Sequence, residues 1–177
     1  MKFHEEFVNA IRLYIVYMIT HTSHEVIIMK QSSMVEELNQ LLKGSYMGIQ
    51  LFKSLQEQLE SEQLIKEFHQ ILDKFHMHAH SLTALIQTCH EKPVENAGAK
   101  GILTSAVEMI KDIMIVNDRQ VLQEAVKHMD TAIHAIEMFL QRHQIENEEM
   151  VKIVRIMQED YESIDHLLRK YLIEFSK

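Results

Sequence analysis

The chain has 177 residues, a formal net charge of −8 and a single cysteine. A chain of this length buries one domain-sized core without disulfides, and Cys89 has no partner within the chain, so a reducing, cytoplasmic setting is expected. The negative charge and the lack of a basic stretch argue against nucleic acid as a partner. Only four glycines, one proline and no tryptophan occur, and this scarcity of helix breakers predicts an all-α fold.

Residues 1–28 are predicted to be an N-terminal extension, and residues 29–177 to form the domain proper. The apolar stretch FVNAIRLYIVYMIT (7–20) is interrupted by Arg12 and is shorter than the roughly 20 residues of a membrane span, so no spanning helix is expected. It also lacks the basic leader and the cleavage site of a secretory signal. Two interpretations stay open: an extra helix packed on the domain, or upstream sequence that the cell does not translate.

The second interpretation places the native start at Met29 or Met34. It rests on Glu25 and Val26, whose codons can spell a bacterial ribosome-binding sequence just upstream of Met29. The nucleotide sequence tests this hypothesis, because other codons at those two positions would remove it.

From residue 33 on, the apolar positions recur with a helical period. They predict four long amphipathic helices, at about 34–58, 61–90, 119–142 and 147–175. The stretch EKPVENAGAKG (91–101) collects the only proline and two of the four glycines, which is typical of a linker. A shorter helix, at about 102–116, is predicted to follow it in the crossover between the second and third long helices.

Two of these helices have distinctive faces. In the first helix, Gly44, Ser45 and Gly48 are small enough to let another helix approach closely. In the second helix, apolar residues are spaced alternately three and four apart, which is the pattern of a bundle core. These residues are Leu64, Phe68, Leu72, Phe75, Ala79, Leu82 and Ile86.

The second helix also carries the densest histidine cluster, in the stretch DKFHMHAHSL (73–82). At 100° per residue, one stripe lies roughly 80–140° from the centre of the apolar face and holds four ligand-type side chains: His69, Asp73, His76 and His80. His76 and His80 are one turn apart and could chelate a first-row metal such as zinc, although such a stripe is more often a solvated flank. His78 lies on the opposite flank and cannot join them.

Three segments of the chain resemble the ferritin-like superfamily: LNQLLKGSYMGIQLF (38–52), the histidine-bearing second helix ending in LIQTCHEKP (85–93), and QEDYESIDHLLRKYL (158–172). The likeness is to a bacterial ferritin-like four-helix-bundle family of unknown function, and it covers about 34–175. It implies an antiparallel four-helix bundle with one long crossover, which here carries the short extra helix.

Active di-iron members of that superfamily use a carboxylate from each of two helices and a Glu-x-x-His pair from each of the other two. Carried over by position, the carboxylate of the first helix falls on Ser45, and the pair of the second helix falls on Phe75 and His78. The third helix offers Asp130, and in the fourth helix the pair becomes Asp160 and Ser163. Three of the six positions therefore cannot bind iron, and the candidate core remnant consists of His78, Asp130 and Asp160.

Asp160 is singled out because it lies about 60° from the centre of the apolar face of its helix. An unpaired carboxylate is costly to bury there, so His78 or Tyr46 is expected to satisfy it.

Two classes of function follow from the sequence. The leading hypothesis is a non-enzymatic ferritin-like bundle, an interaction or stress-related structural protein that could self-associate or bind another protein, with no cofactor. The alternative is a metal-binding protein that holds iron or zinc at the core remnant or at the surface histidine stripe. A true di-iron oxidase is the least favoured interpretation, because half of its ligand positions are lost.

Overall fold

The computed structural model describes residues 33–95, 117–143 and 148–175, and within these ranges the secondary structure is helical, with no strand. The helices are α1 (33–56), α2 (Glu62–Thr88), α3 (Asp118–His143) and α4 (Glu148–Glu174). The all-α prediction is confirmed. The predicted helix at 102–116 and the extension at 1–28 lie outside the described residues.

The candidate site lies within the compact unit Glu37–Lys177. In the three described ranges, no helix is both long and apolar enough to cross a lipid bilayer.

Polar side chains fix where α2 and α3 begin. The Ser61 hydroxyl accepts a hydrogen bond from the Leu64 N–H at 3.4 Å, which satisfies a donor that the helix itself leaves unpaired. Asn117 does the same for α3, because its Oδ1 accepts from the Gln120 N–H at 3.0 Å. Asn117 therefore caps the start of α3. Helix α2 ends just before His90, whose φ of 59° turns the chain away from the helix axis.

The helices alternate in direction, except that α2 and α3 run parallel. The Glu37 Oε2 atom near the start of α1 lies 3.2 Å from the Arg142 Nη1 atom near the end of α3, so these two helices are antiparallel. Tyr171 near the end of α4 accepts a hydrogen bond from Gln63 near the start of α2 at 3.0 Å. Because the 27 residues of α2 span about 40 Å, the end of α2 and the start of α3 lie at opposite ends of the bundle.

The core lies on the predicted apolar faces. All seven residues expected on the inner face of α2 are at most 9% exposed. In α3 and α4 the apolar faces are also largely buried, whereas Phe175, just beyond the end of α4, is 41% exposed. Burial of these faces is the main stabilising term of such a bundle, because most of the stability of a helix in a protein comes from packing its apolar face.

One carboxylate ties the two parallel helices together at their starts. The Oδ1 and Oδ2 atoms of Asp118 accept hydrogen bonds from the backbone N–H groups of Glu60, at 2.7 Å, and Ser61, at 3.0 Å. Asp118 is itself only 9% exposed. A negative charge at the N-termini of α2 and α3 is favourable because the helix dipoles place partial positive charge there.

Replacing Asp118 by alanine leaves two backbone donors without this partner and is expected to lower the free energy of unfolding by about 2 kcal/mol. Urea unfolding at pH 7 measures the change. The matched control is Asp73→Ala on the exposed face of α2, which is expected to change stability by less than about 0.5 kcal/mol. Equal losses in the two variants would contradict a role for Asp118 in joining the helices.

Candidate functional site

Three aromatic rings fill the middle of the bundle, where the sequence comparison placed an iron pair. Phe75 of α2 meets Phe52 of α1 edge to face, with 4.9 Å between ring centroids, and Tyr161 of α4 at 5.1 Å. Each of the three side chains is at most 3% exposed. These centroid distances lie within the range in which aromatic pairs attract one another beyond the burial of their area. The centre of the bundle is therefore a packed aromatic cluster, made of Phe52, Phe75 and Tyr161.

Two hydroxyl groups lie next to this cluster. The Ser45 hydroxyl donates to the Leu41 carbonyl of its own helix at 3.0 Å, and the Ser45 side chain lies close enough to the Tyr161 hydroxyl to influence its pKa. Burial raises the pKa of the Tyr161 phenol well above its usual value, so it stays protonated at pH 7. Ser45, which the sequence resemblance aligns with a carboxylate of iron-binding proteins, here bonds to its own helix.

A polar triad, consisting of Lys74, His78 and Asp160, lies beside the aromatic cluster between α2 and α4. The Asp160 Oδ2 atom lies 2.9 Å from His78 Nε2, and its Oδ1 atom accepts from Lys74 Nζ at 2.5 Å. The His78 ring is 3% exposed and packs edge to face on Tyr161 at 5.7 Å. The predicted contact between His78 and Asp160 is present, and both carboxylate oxygens are occupied by protein donors.

Burial decides the protonation state of the histidine. It lowers the pKa of the His78 imidazole below its usual value, although the neighbouring Asp160 carboxylate acts in the opposite direction. Partial burial on its own raises the pKa of Asp160, but the hydrogen bonds and charges of Lys74 and His78 outweigh it and leave that pKa below its usual value. At pH 7 the triad is therefore a Lys74–Asp160 ion pair to which a neutral His78 donates a hydrogen bond.

The third predicted member of the core remnant, Asp130, does not lie beside His78 and Asp160. The side chain of Asp130 is 58% exposed and pairs with Arg169 at 2.5 Å on the outside of α3 and α4. Arg169 also donates to Asp165 at 2.7 Å. Ser163 is exposed. Of the core remnant, the structure brings together His78 and Asp160 and leaves Asp130 on the surface.

The surface stripe on α2 is solvated, as its angle from the apolar face indicates. The side chains of its four members, His69, Asp73, His76 and His80, are exposed. Within the described ranges, no three histidine, cysteine, aspartate or glutamate side chains converge in a way that could hold a metal ion.

The residues in the bundle centre do not fit a di-iron pair. Two iron ions need several inward-facing carboxylates to balance their charge, but the positions that the sequence resemblance aligns with two of those carboxylates hold Phe75 and Ser45. The carboxylate that remains, Asp160, has both oxygens bound to Lys74 and His78. An iron pair would therefore have to displace the aromatic cluster and compete with a lysine.

Sequence reasoning missed two members of this arrangement. Lys74 lies four residues before His78 on the same helix, so the two side chains project in similar directions. A partly buried carboxylate at position 160 called for a cation as well as a hydrogen-bond donor, and that requirement is the signal that could have identified Lys74. Tyr161 was visible only as the neighbour of Asp160.

The pKa values of the triad predict how stability depends on pH. Because the folded-state pKa of His78 is lowered, the folded protein takes up this proton less readily than the unfolded chain. His78 therefore favours folding above its unfolded pKa of about 6.5, and this contribution is lost as the pH falls below that value. Asp160 acts in the same direction at more acidic pH, below about 4.

We expect the free energy of unfolding to fall between pH 7.5 and pH 5.5, and to fall less in His78→Gln, which cannot titrate. Urea unfolding at the two pH values gives this difference. The matched control is His76→Gln on the exposed side of α2, for which the wild-type fall is expected. If His78→Gln kept the full wild-type fall, His78 would not be the group that resists protonation.

Comparison with known proteins agrees with this architecture. The model of the family described as Domain of unknown function (DUF2383) matches residues 33–142. The DPS protein from Vibrio cholerae O1, described as a member of a broad superfamily of ferritin-like diiron-carboxylate proteins, superposes with a TM-score of 0.69 at 14% identity, over 81% of this chain and 91% of that one. A search of curated proteins finds no significant match. The chain has a ferritin-like fold, and it belongs to the DUF2383 family.

Proposed function

We propose that this protein is a non-enzymatic ferritin-like bundle that acts as an interaction or stress-related structural protein and not as a di-iron oxidase. The observation that carries the proposal is the aromatic cluster of Phe52, Phe75 and Tyr161, with centroid distances of 4.9 and 5.1 Å, at the level where the sequence resemblance would place iron ligands. The packing of these rings stabilises the centre of the bundle without a metal pair.

The charge of the triad supports the same proposal. In a di-iron protein the inner carboxylates stay free to neutralise metal charge, whereas here Lys74 already neutralises Asp160 without any metal. The interior therefore needs no cofactor to be electrically balanced. The partner we propose is a second copy of the chain or another protein, because the net charge of −8 opposes binding to nucleic acid. We propose a cytoplasmic location, in keeping with the free thiol of Cys89.

The proposal predicts that the protein neither binds ferrous iron stoichiometrically nor oxidises it. Full-length protein, purified without a histidine tag, is incubated anaerobically with ferrous ion, and bound iron per chain is measured after desalting. Oxygen uptake after mixing with air is then compared with that of the buffer and ferrous ion alone. We expect less than one iron per ten chains and no acceleration of oxygen uptake.

Two outcomes would contradict the proposal. Two irons per chain with accelerated oxygen uptake would restore the di-iron oxidase. Stoichiometric zinc that disappears in a His76→Gln/His80→Gln variant would favour the surface stripe as a working metal site.

A further inference from the structure

A cavity of about 470 Å³ opens between α1 and α3 and reaches the aromatic cluster. Its walls come from α1 and α3, and its floor is formed by Phe75 of α2 and by Met157 and Tyr161 of α4. All four helices therefore contribute to it. The volume is typical of sites that bind small molecules, which run from about 300 to 1,000 Å³.

Small residues open the cavity. Gly44 and Gly48 lie one turn apart on α1, opposite Ala132 and Ala135 of α3. A Cβ atom built at Gly44 meets no atom of the described residues within 4 Å, and one at Gly48 meets only the Phe75 ring, at 3.7 Å. The sequence pattern predicted that these glycines let another helix approach closely, but at Gly44 they border open space instead.

The deep part of the cavity is apolar. Phe52, Phe75, Met129 and Met157 line it together with Tyr161, which is 3% exposed. A polar group placed there would lose its hydrogen bonds to water without replacement, which costs free energy. Whatever occupies the deep part must therefore be apolar.

Polar side chains lie at the mouth, on α3. Lys127 Nζ lies 3.5 Å from Glu124 Oε2, and the exposed fraction of the Lys127 side chain is 69%. Burial lowers the pKa of His128, so this ring is neutral at pH 7 and offers a donor and an acceptor. Because Glu124 balances the charge of Lys127, the mouth carries hydrogen-bonding groups but no net charge.

We propose that this cavity binds one uncharged amphiphile per chain, with an aliphatic body beside the aromatic cluster and a hydroxyl-type end at the mouth. A helix is excluded as the occupant of the deep part, because with its side chains it measures about 10–12 Å across and cannot pass between α1 and α3 to Phe75. An anion is disfavoured because the chain carries a charge of −8. This inference goes beyond the proposed function, which requires no ligand.

Isothermal titration calorimetry of the full chain with 1-dodecanol, below its solubility limit, tests the proposal. We expect saturable binding of one molecule per chain. Gly44→Leu places a side chain in the open space and is expected to weaken binding at least tenfold, and Ala132→Leu fills the cavity from the opposite wall with the same result. The matched control is Ala84→Leu on an exposed part of α2 that does not line the cavity, for which unchanged binding is expected.

Two charged ligands, dodecanoate and dodecyltrimethylammonium, are used below their micelle concentrations. They test whether the end of the ligand that lies at the cavity mouth has to be uncharged. We expect each to bind at least tenfold more weakly than 1-dodecanol. If either ion bound more tightly than 1-dodecanol, the proposal that the ligand has an uncharged polar end would be overturned. No saturable binding of 1-dodecanol, or equal binding by the wild type and both cavity-filling variants, would overturn the site itself, whatever the iron experiment shows.

Discussion

The contact between Phe75 and its two aromatic neighbours is the constraint on which the rest of the bundle depends. It joins α1, α2 and α4 at one level, with the rings at most 3% exposed. Close-packed interiors leave little room for a second use of the same volume. A carboxylate that faces such an interior must find protein partners, because burying it unpaired is costly.

The partners of Asp160 show how that requirement is met. Lys74 supplies the charge, and His78 supplies a neutral donor from a more deeply buried position. Gly44, Ser45 and Gly48 give α1 small side chains at three positions along the cavity between α1 and α3. The aromatic cluster thus forms both the centre of the bundle and part of the lining of an apolar pocket, within a fold whose relatives include ferritin-like diiron-carboxylate proteins.

Much of this architecture was predictable because helical periodicity encodes which residues face inward. The burial of Phe75 and Ser45 and the contact between His78 and Asp160 all follow from angular position on a helix. The pairing of Asp130 with Arg169, 39 residues away, could not be predicted, because periodicity gives the face of a residue but not the partner on another helix. The cavity at Gly44 could not be predicted for the same reason, because an empty space depends on the side chains of all the helices around it.

The packing role of Phe75 is tested most directly by the free energy of unfolding of Phe75→Ala, measured with a metal chelator present. A ring that fills the centre of a metal-free bundle predicts a loss of about 3–5 kcal/mol, against less than about 1 kcal/mol for Phe175→Ala, whose ring is 41% exposed. A loss at Phe75 no larger than that at Phe175 would contradict the account, because the centre of the bundle would then not depend on aromatic packing.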